Sequence, residues 1–301
     1  MATRTELLPD TTGLGPVHLQ VADLERSVRY YGEVLGFRVL NRGDGEAILA
    51  AHGDDAPLVR LRERPGAVPV PRRGQLGLYH YAILLPDRPA LGRLVVHLSD
   101  LGVKVGASDH RVSEALYLTD PDGLGIEVYA DRPRAEWEWG DGELVMATDP
   151  LDLEAIVATA RGERWSGMPA GTRIGHVHLH VGAIPEAAAF YQEALGLEPT
   201  VRSYPGALFL SAGGYHHHVA VNTWAGPAAA PAGAGDAQLL EWSLVVPTPE
   251  QAAAAARRVR GAGFGGEEVE GGWLLTDPWG TEVRVVGAGE PDSVRSQQSH
   301  L

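Results

Sequence analysis

Three residues of this chain carry side chains that could form a metal site of two histidines and one carboxylate. His18 lies in GPVHLQVADL, His80 in LYHYAILLPD and Glu127 in LTDPDGLGIEVYA. Each segment is predicted to be a short apolar strand with one ligand-capable side chain. Two imidazoles and a carboxylate bind one face of an octahedral ion and leave the other face open, which suits Fe(II) that binds a substrate and O2 together. The sequence therefore predicts a metal site at His18, His80 and Glu127.

The composition limits the classes of protein to which the chain can belong. A length of 301 residues predicts about two domains. The formal charge of −14 argues against nucleic acid or an anionic membrane surface as a partner. No apolar run has a membrane-spanning length and the N-terminus lacks the pattern of a signal peptide, so we expect a cytoplasmic protein. Because the chain has no cysteine, nitrogen and oxygen atoms must hold any metal.

The sequence contains an internal repeat. Residues 14–40 parallel residues 174–200, with His18 aligned to His178, and each segment is predicted to be a strand and a helix that ends at a glycine. Segment 48–61 also matches 209–222, and 117–129 resembles 273–286. A weaker repeat begins around His80. The chain is therefore predicted to contain four copies of one strand, one helix and about three further strands.

This pattern predicts an α+β fold in which four βαβββ modules pair into two domains. Each domain is expected to be a curved mixed β-sheet around a central cleft, with the helices outside. The predicted boundaries are an N-terminal tail (1–13), a two-module domain that carries the metal site (14–131), a linker with a short helix near 151–161 (132–172), a second two-module domain with a degenerate site (173–287) and a disordered tail (288–301).

The repeats and motifs resemble the vicinal-oxygen-chelate superfamily of glyoxalases, bleomycin-resistance proteins and extradiol dioxygenases. The resemblance covers roughly residues 14–286. The stretch HRVSEALYLTDPDGLGIEVYADRP (110–133) is similar to extradiol ring-cleaving enzymes, and most similar to two-domain bacterial catechol 2,3-dioxygenases. The resemblance implies Fe(II), with Mn(II) as a substitute, a catecholic substrate and O2. It also implies ligands that project into the concave face of the sheet, and a homo-oligomer is common among such scaffolds.

Two further residues of this stretch gain a role from the resemblance. His110 is implied to contact the substrate or its developing charge, and Tyr117 to donate a hydrogen bond to a catechol oxygen. An imidazole and a phenol can both donate protons to an oxyanion. The alternatives are a solvated loop histidine at His110 and a core aromatic side chain at Tyr117.

The family usually has an acid–base histidine on the fourth strand of the first module of its metal-bearing domain. A gapless alignment of the two halves puts Ala56 at that place and aligns it with His217. A secondary site at His178, His217 and Glu241 is a further hypothesis, although Arg284 takes the place of Glu127 and an arginine does not ligate metals. The cluster His216–His218 is explained equally well by a functional role or by packing between domains or between subunits of an oligomer.

Three functions remain open from the sequence. The first is an extradiol dioxygenase that cleaves catechol or a substituted catechol. The second is a glyoxalase-like isomerase or thiol transferase, which usually adds a second carboxylate ligand from the first module, where Arg60 and Glu63 offer no acid clearly in register. The third is a non-catalytic protein that binds an aromatic drug, and the presence of the triad argues against it.

Overall fold

The computed structural model describes residues 6–289, which form two mixed β-sheets with helices packed on them. The predicted tails, 1–13 and 288–301, fall partly outside these residues, at 1–5 and 290–301. Inside the described part, Leu8 is buried and its backbone N–H donates to the carbonyl of Gly196 at 2.8 Å. The residues just before the first strand therefore pack against the third repeat unit.

The four predicted units are present in order. The first unit consists of β1 (Gly13–Val21), α1 (Leu24–Glu33), β2 (Arg38–Gly43), β3 (Glu46–Ala50) and β4 (Val59–Glu63). The second consists of β5 (Gln75–Leu84), α2 (Arg88–Asp100), β6 (Gly106–Asp109), β7 (Ser113–Thr119) and β8 (Gly125–Asp131). The segment after it contains a 3₁₀ turn (Arg134–Glu136), β9 (Trp139–Gly140), β10 (Glu143–Leu144) and α3 (Leu153–Thr159), which falls within the region where a linker helix is expected.

The second half repeats this order. The third unit consists of β11 (Arg173–His180), α4 (Ile184–Ala187), which continues as a π-helix (Ala188–Ala194), β12 (Glu198–Val201), β13 (Ala207–Ser211) and β14 (Val219–Asn222). The short strand β15 (Ala230–Pro231) follows. The fourth unit consists of β16 (Gln238–Val246), α5 (Pro249–Gly261), β17 (Gly265–Val269), β18 (Gly272–Thr276) and β19 (Glu282–Gly287).

Local sequence signals explain where the helices begin and end. The Asp23 side chain accepts from the N–H of Arg26 at the start of α1, and Thr248 and Gln251 form a capping box at the start of α5. Gly36 and Gly196, the predicted stops, have φ angles of +78° and +97°. Glycine adopts this left-handed conformation at no steric cost, and it ends each helix.

The pairing of the units differs from the expected one. The eight-stranded sheet has the order β17-β18-β19-β16-β1-β4-β3-β2, and the nine-stranded sheet has the order β12-β13-β14-β11-β5-β8-β7-β6. The first unit therefore shares a sheet with the fourth, and the second with the third. The prediction that consecutive units pair within each half, at 14–131 and 173–287, is not met by these sheets, whereas the mixed α+β fold with curved sheets is confirmed.

The core lies between the sheets and the helices. Large side chains such as Trp242, Tyr31 and Tyr81 are fully buried, and Tyr81 donates a hydrogen bond to the hydroxyl of Tyr31 at 3.1 Å. Apolar burial of this extent is the main driving force for the fold. Within residues 6–289, no helix is both long and apolar enough to cross a membrane.

Candidate metal centre and active site

The pairing of β5, β8 and β11 places ligand-capable side chains on one face of the nine-stranded sheet. His80 of β5 lies opposite His178 of the antiparallel β11, and His176 lies opposite Ala82. Ala82 in turn lies beside Glu127 of the parallel strand β8. Because every second residue of a strand faces the same side, His80, His176 and Glu127 all project from this face.

These three side chains converge on one point. The Nε2 atoms of His80 and His176 lie 3.0 Å and 3.3 Å from the same oxygen, Oε2 of Glu127. All three are buried, and one ligand atom from each lies within 4.8 Å of the others. The approach of His80 does not have hydrogen-bond geometry, so its Nε2 is a buried polar atom without a hydrogen-bond partner. Two imidazole nitrogens and a carboxylate oxygen in this arrangement fit a divalent metal ion of the first transition row.

The electrostatics of the triad agree with a ligand role. Burial lowers the pKa of His176 to about 4, which keeps the imidazole neutral. Burial alone would raise the pKa of Glu127, but the nearby imidazoles of His176 and His80 hold it well below its usual range. Neutral histidine and ionised carboxylate are the protonation states that bind metals.

The structure does not bring His18 to this site. His18 lies on β1 in the other sheet, opposite Glu241 of β16 and beside Arg60 of β4. Its alignment with His178 is correct, but the residue that joins His80 and Glu127 lies two positions earlier in the third unit, at His176. In the first unit that position is Pro16. The expected triad is corrected in one member because the second unit pairs with the third unit and not with the first.

The secondary site at His178, His217 and Glu241 is not assembled either. His178 and His217 line a cavity beside the triad. Glu241 lies in the other sheet, where Arg284 donates two hydrogen bonds to its carboxylate at 2.9 Å each. Nε2 of His178 also accepts a hydrogen bond from the side-chain amide of Asn222 at 2.8 Å. The eight-stranded sheet therefore has an ion pair where the nine-stranded sheet has the His80–Glu127 contact.

His110 and Tyr117 lie together at the cavity, as the sequence suggested. Tyr117 of β7 lies opposite Glu127, and its hydroxyl is 2.5 Å from Nε2 of His110. Nδ1 of His110 lies 2.6 Å from the carbonyl oxygen of Ala147. A carbonyl can only accept, so Nδ1 of His110 carries a proton and, in the neutral ring, Nε2 accepts from Tyr117. Burial, followed by the charge of Glu127, raises the pKa of Tyr117 well above 10.

The cavity at this face has a volume of about 300 Å³. Its walls are mostly aromatic or apolar, and among the described residues no lysine or arginine lines it. Besides the triad members His80 and Glu127, its lining includes His110, Tyr117, His217, Thr148 and the aromatic rings of Tyr79, Tyr204, Phe209 and Trp224. A site of this size and polarity suits one aromatic ring with a small substituent.

His176 is the site residue that the sequence reasoning missed. Its signal was present, because aligning the first strand of the third unit, GHVHLHV, with YHYAILL places His176 on His80. The sequence places His217 in the half whose metal site is predicted to be degenerate. The backbone N–H groups of Val17 and Val177 donate to the carbonyls of Leu58 and His218, respectively. Pro57 in the first unit is therefore equivalent to His217, one residue away from Ala56.

Comparison with known proteins agrees with this fold. A model of the family described as the Glyoxalase/Bleomycin resistance protein/Dioxygenase superfamily matches residues 13–128 and 173–285. The chain belongs to this superfamily. Within it, a Bacillus subtilis (strain 168) protein named catechol-2,3-dioxygenase is 46% identical over 272 residues, which cover 89% of this chain and 95% of that protein.

Solved structures of the superfamily support the fold. A Bacillus subtilis structure superposes with a TM-score of 0.62 at 16% identity, covering 92% of this chain and 86% of that one. Glyoxalase I from Zea mays has a TM-score of 0.55 at 18% identity and covers 92% of each chain. The expected superfamily and the likeness to a catechol 2,3-dioxygenase, an oxidoreductase, are confirmed. Homology to a dioxygenase, together with the buried His/Glu groups, implies a metal cofactor, a small-molecule substrate and O2.

Proposed function

We propose that this chain is an extradiol ring-cleaving dioxygenase that inserts O2 into catechol or a substituted catechol. The observation that carries the proposal is the convergence of His80, His176 and Glu127 beside the His110–Tyr117 pair. A non-haem Fe(II) ion held by these three residues would supply open positions at which both catechol oxygens and O2 bind next to each other.

The donor set favours Fe(II), with Mn(II) as a substitute. Two neutral imidazoles and one carboxylate leave a divalent ion with one net positive charge, which a catecholate monoanion neutralises. A glyoxalase-like isomerase or thiol transferase would be expected to add a second carboxylate ligand. Among the residues that the structure describes, Glu127 is the one acid in either group of side chains that could hold a metal ion.

Tyr117 and His110 are proposed to hold a proton next to the substrate. The high pKa of Tyr117 keeps its hydroxyl protonated at neutral pH, so that it can donate to a catechol oxygen. Nε2 of His110 accepts from the same hydroxyl in the absence of substrate, and Ala147 fixes the ring through Nδ1. The pair can therefore supply a hydrogen bond to a substrate oxygen and pass a proton between phenol and imidazole.

His217 is proposed as the acid–base histidine that the first unit lacks at Ala56. It comes from the third unit, two residues before β14, and lines the same cavity as Tyr117 and Glu127. Its ring lies 4.0 Å, centroid to centroid, from that of His176. Burial lowers its pKa well below 6.5, so it is a neutral base at neutral pH.

The walls of the cavity favour substrates without a charged substituent. The rings of Tyr79, Tyr204, Phe209 and Trp224 form a cluster in which neighbouring centroids are 5.7 to 6.1 Å apart. Such edges and faces pack well against an aromatic substrate. Because no lysine or arginine of the described chain lines the cavity, a carboxylate substituent would be desolvated without a partner.

The test is turnover of the metal-loaded enzyme. The protein is loaded with Fe(II) without air, mixed with catechol and then exposed to O2. We expect O2 uptake matched by a yellow ring-opened semialdehyde, one per O2 consumed. A protein that binds Fe(II) stoichiometrically and consumes no O2 with catechols, but acts on thiol adducts with Zn(II) or Ni(II), would show that the isomerase or transferase alternative is correct.

A further inference from the structure

A buried chain of hydrogen bonds runs from the cavity to a partly exposed carboxylate behind it. His217, at the cavity, is joined to His216 through their Nδ1 atoms, which are 2.8 Å apart. Nε2 of His216 lies 3.1 Å from Oδ1 of Asp131. The His216 side chain is fully buried, and that of Asp131 is 24% exposed. These contacts link the side chain proposed as the base to a residue at the end of β8.

The chemistry of each group fixes the direction of these hydrogen bonds. An ionised carboxylate can only accept, so Nε2 of His216 must carry a proton. A neutral imidazole has one N–H, which leaves Nδ1 of His216 as an acceptor. Nδ1 of His217 must therefore donate to it. In neutral His217 the other nitrogen, Nε2, then has no proton and keeps its lone pair.

Two tyrosines hold Asp131 as the acceptor at the end of this series of hydrogen bonds. The hydroxyl of Tyr215 donates to the carboxylate, at 3.2 Å and 3.1 Å from its two oxygens. The hydroxyl of Tyr129 lies 2.7 Å from that of Tyr215 and donates to it, since the Tyr215 proton is directed at Asp131. Tyr129 is buried and Tyr215 is partly buried, and this burial raises the pKa values of both hydroxyls well above 10. Tyr215 and His216 thus both direct donors at the Asp131 carboxylate.

We propose that Asp131 and His216 are positioning residues that fix His217 in the tautomer with Nδ1 protonated and Nε2 free. A base in the cavity must present a lone pair, and the wrong tautomer would present an N–H instead. Asp131 and His216 are not among the described residues that line the cavity, and their effect on it passes through His217. The role of this tautomer in catalysis rests on the proposed dioxygenase function. The presence of the tautomer does not depend on that function.

The direct test is nitrogen-15 NMR of the histidine rings in the full chain, loaded with one equivalent of diamagnetic Zn(II). His217 and His216 are assigned with His217→Gln and His216→Gln. We expect the spectrum of His217 to show a protonated Nδ1 and an unprotonated Nε2, and that of His216 the reverse. This measurement uses the wild-type fold, so it does not depend on whether a variant folds.

The matched variants are Asp131→Asn, Asp131→Leu and Asp149→Leu. Asp149 is a half-exposed carboxylate paired with Arg111 outside this chain of bonds. We expect Asp131→Leu to give a mixture of His217 tautomers and, in the Fe(II) enzyme, a kcat lower by about 10- to 100-fold with little change in KM. Asp131→Asn retains an oxygen acceptor, so its kcat is expected to lie between those of Asp131→Leu and the wild type. The control Asp149→Leu should match the wild type in kcat.

Three results decide the proposal. A wild-type His217 with its proton on Nε2 would overturn it, whatever the activity. A second Zn(II) equivalent bound by His176, His216 and His217, whose ligand atoms also lie within 4.8 Å of one another, would overturn it as well. The expected tautomer in a protein that does not cleave catechols would uphold the positioning role and refute the dioxygenase function instead.

Discussion

His178 lies directly opposite His80 on the neighbouring antiparallel strand. The equivalent strands of the other sheet place His18 opposite Glu241. The two sheets thus share one geometry but carry different chemistry. In the nine-stranded sheet the second and third units contribute ligand-capable side chains from both halves of the chain. In the eight-stranded sheet the equivalent place is taken by the ion pair of Glu241 and Arg284.

Loss of one partner of that ion pair should destabilise the fold. The side chains of Glu241 and Arg284 are 12% and 18% exposed, so Arg284→Met leaves a carboxylate with little solvent and without the two hydrogen bonds from Arg284. We expect the free energy of unfolding in urea to fall by about 3 kcal/mol. The double variant Glu241→Leu, Arg284→Met should recover most of this loss. Equal losses in the single and double variants would contradict this account.

His18 should make the protein less stable as the pH falls. Burial, followed by the charge of Arg62, lowers its pKa from 6.5 to about 4. Between these values the unfolded chain binds the proton more tightly, so stability drops as the pH decreases through this window. Between pH 7 and 5.5, the wild type should lose about 1 kcal/mol more than His18→Gln in urea unfolding. The exposed His52→Gln variant is the control and should follow the wild type; equal pH slopes for all three proteins would refute the prediction.

The hydroxyl of Tyr117 should matter for turnover and not for metal binding. Tyr117→Phe keeps the ring between His110 and Glu127 but removes the donor. We expect kcat with catechol to fall by about 100-fold while the iron content stays at one per chain. Tyr204→Phe removes a hydroxyl from the same cavity, where it bonds to Thr148 at 3.1 Å, and should have a small effect. A similar loss of kcat in both variants would assign Tyr117 a packing role.

Substrate charge should decide which catechols are cleaved. Since no lysine or arginine of the described chain lines the cavity, kcat/KM for catechol and 4-methylcatechol should exceed that for 3,4-dihydroxybenzoate by at least about 100-fold. Thr148→Lys should narrow this ratio by supplying a cation, whereas Thr148→Gln, of similar size, should not. Equal kcat/KM values for neutral and carboxylated catechols in the wild type would contradict this prediction.

The local features of the fold could be predicted from the sequence because they depend on local signals. Glycine stops such as Gly36 follow from residues close together in the chain, and the alignment of His18 with His178 follows from the internal repeat. His80 and Glu127 could likewise be identified, because both lie in one unit with a strong motif.

The pairing of the units could not be predicted in this way. The first strands of the four units are all apolar, and no local sequence signal indicates which two of them lie side by side. That choice decides whether Pro16 or His176 completes the site with His80 and Glu127, and it determines whether His217 shares the cavity. The long-range contact between β5 and β11 therefore changes one member of the proposed triad and brings His217, the proposed acid–base histidine, to the same cavity.

The metal content of two single variants tests the central claim most directly. His176→Ala and His18→Ala are purified without air, loaded with Fe(II), freed of excess metal and compared for iron per chain and for O2 uptake with catechol. We predict that His176→Ala loses both, whereas His18→Ala keeps one iron per chain and nearly full activity. Retention of iron and activity in His176→Ala, with their loss in His18→Ala, would contradict the site described here.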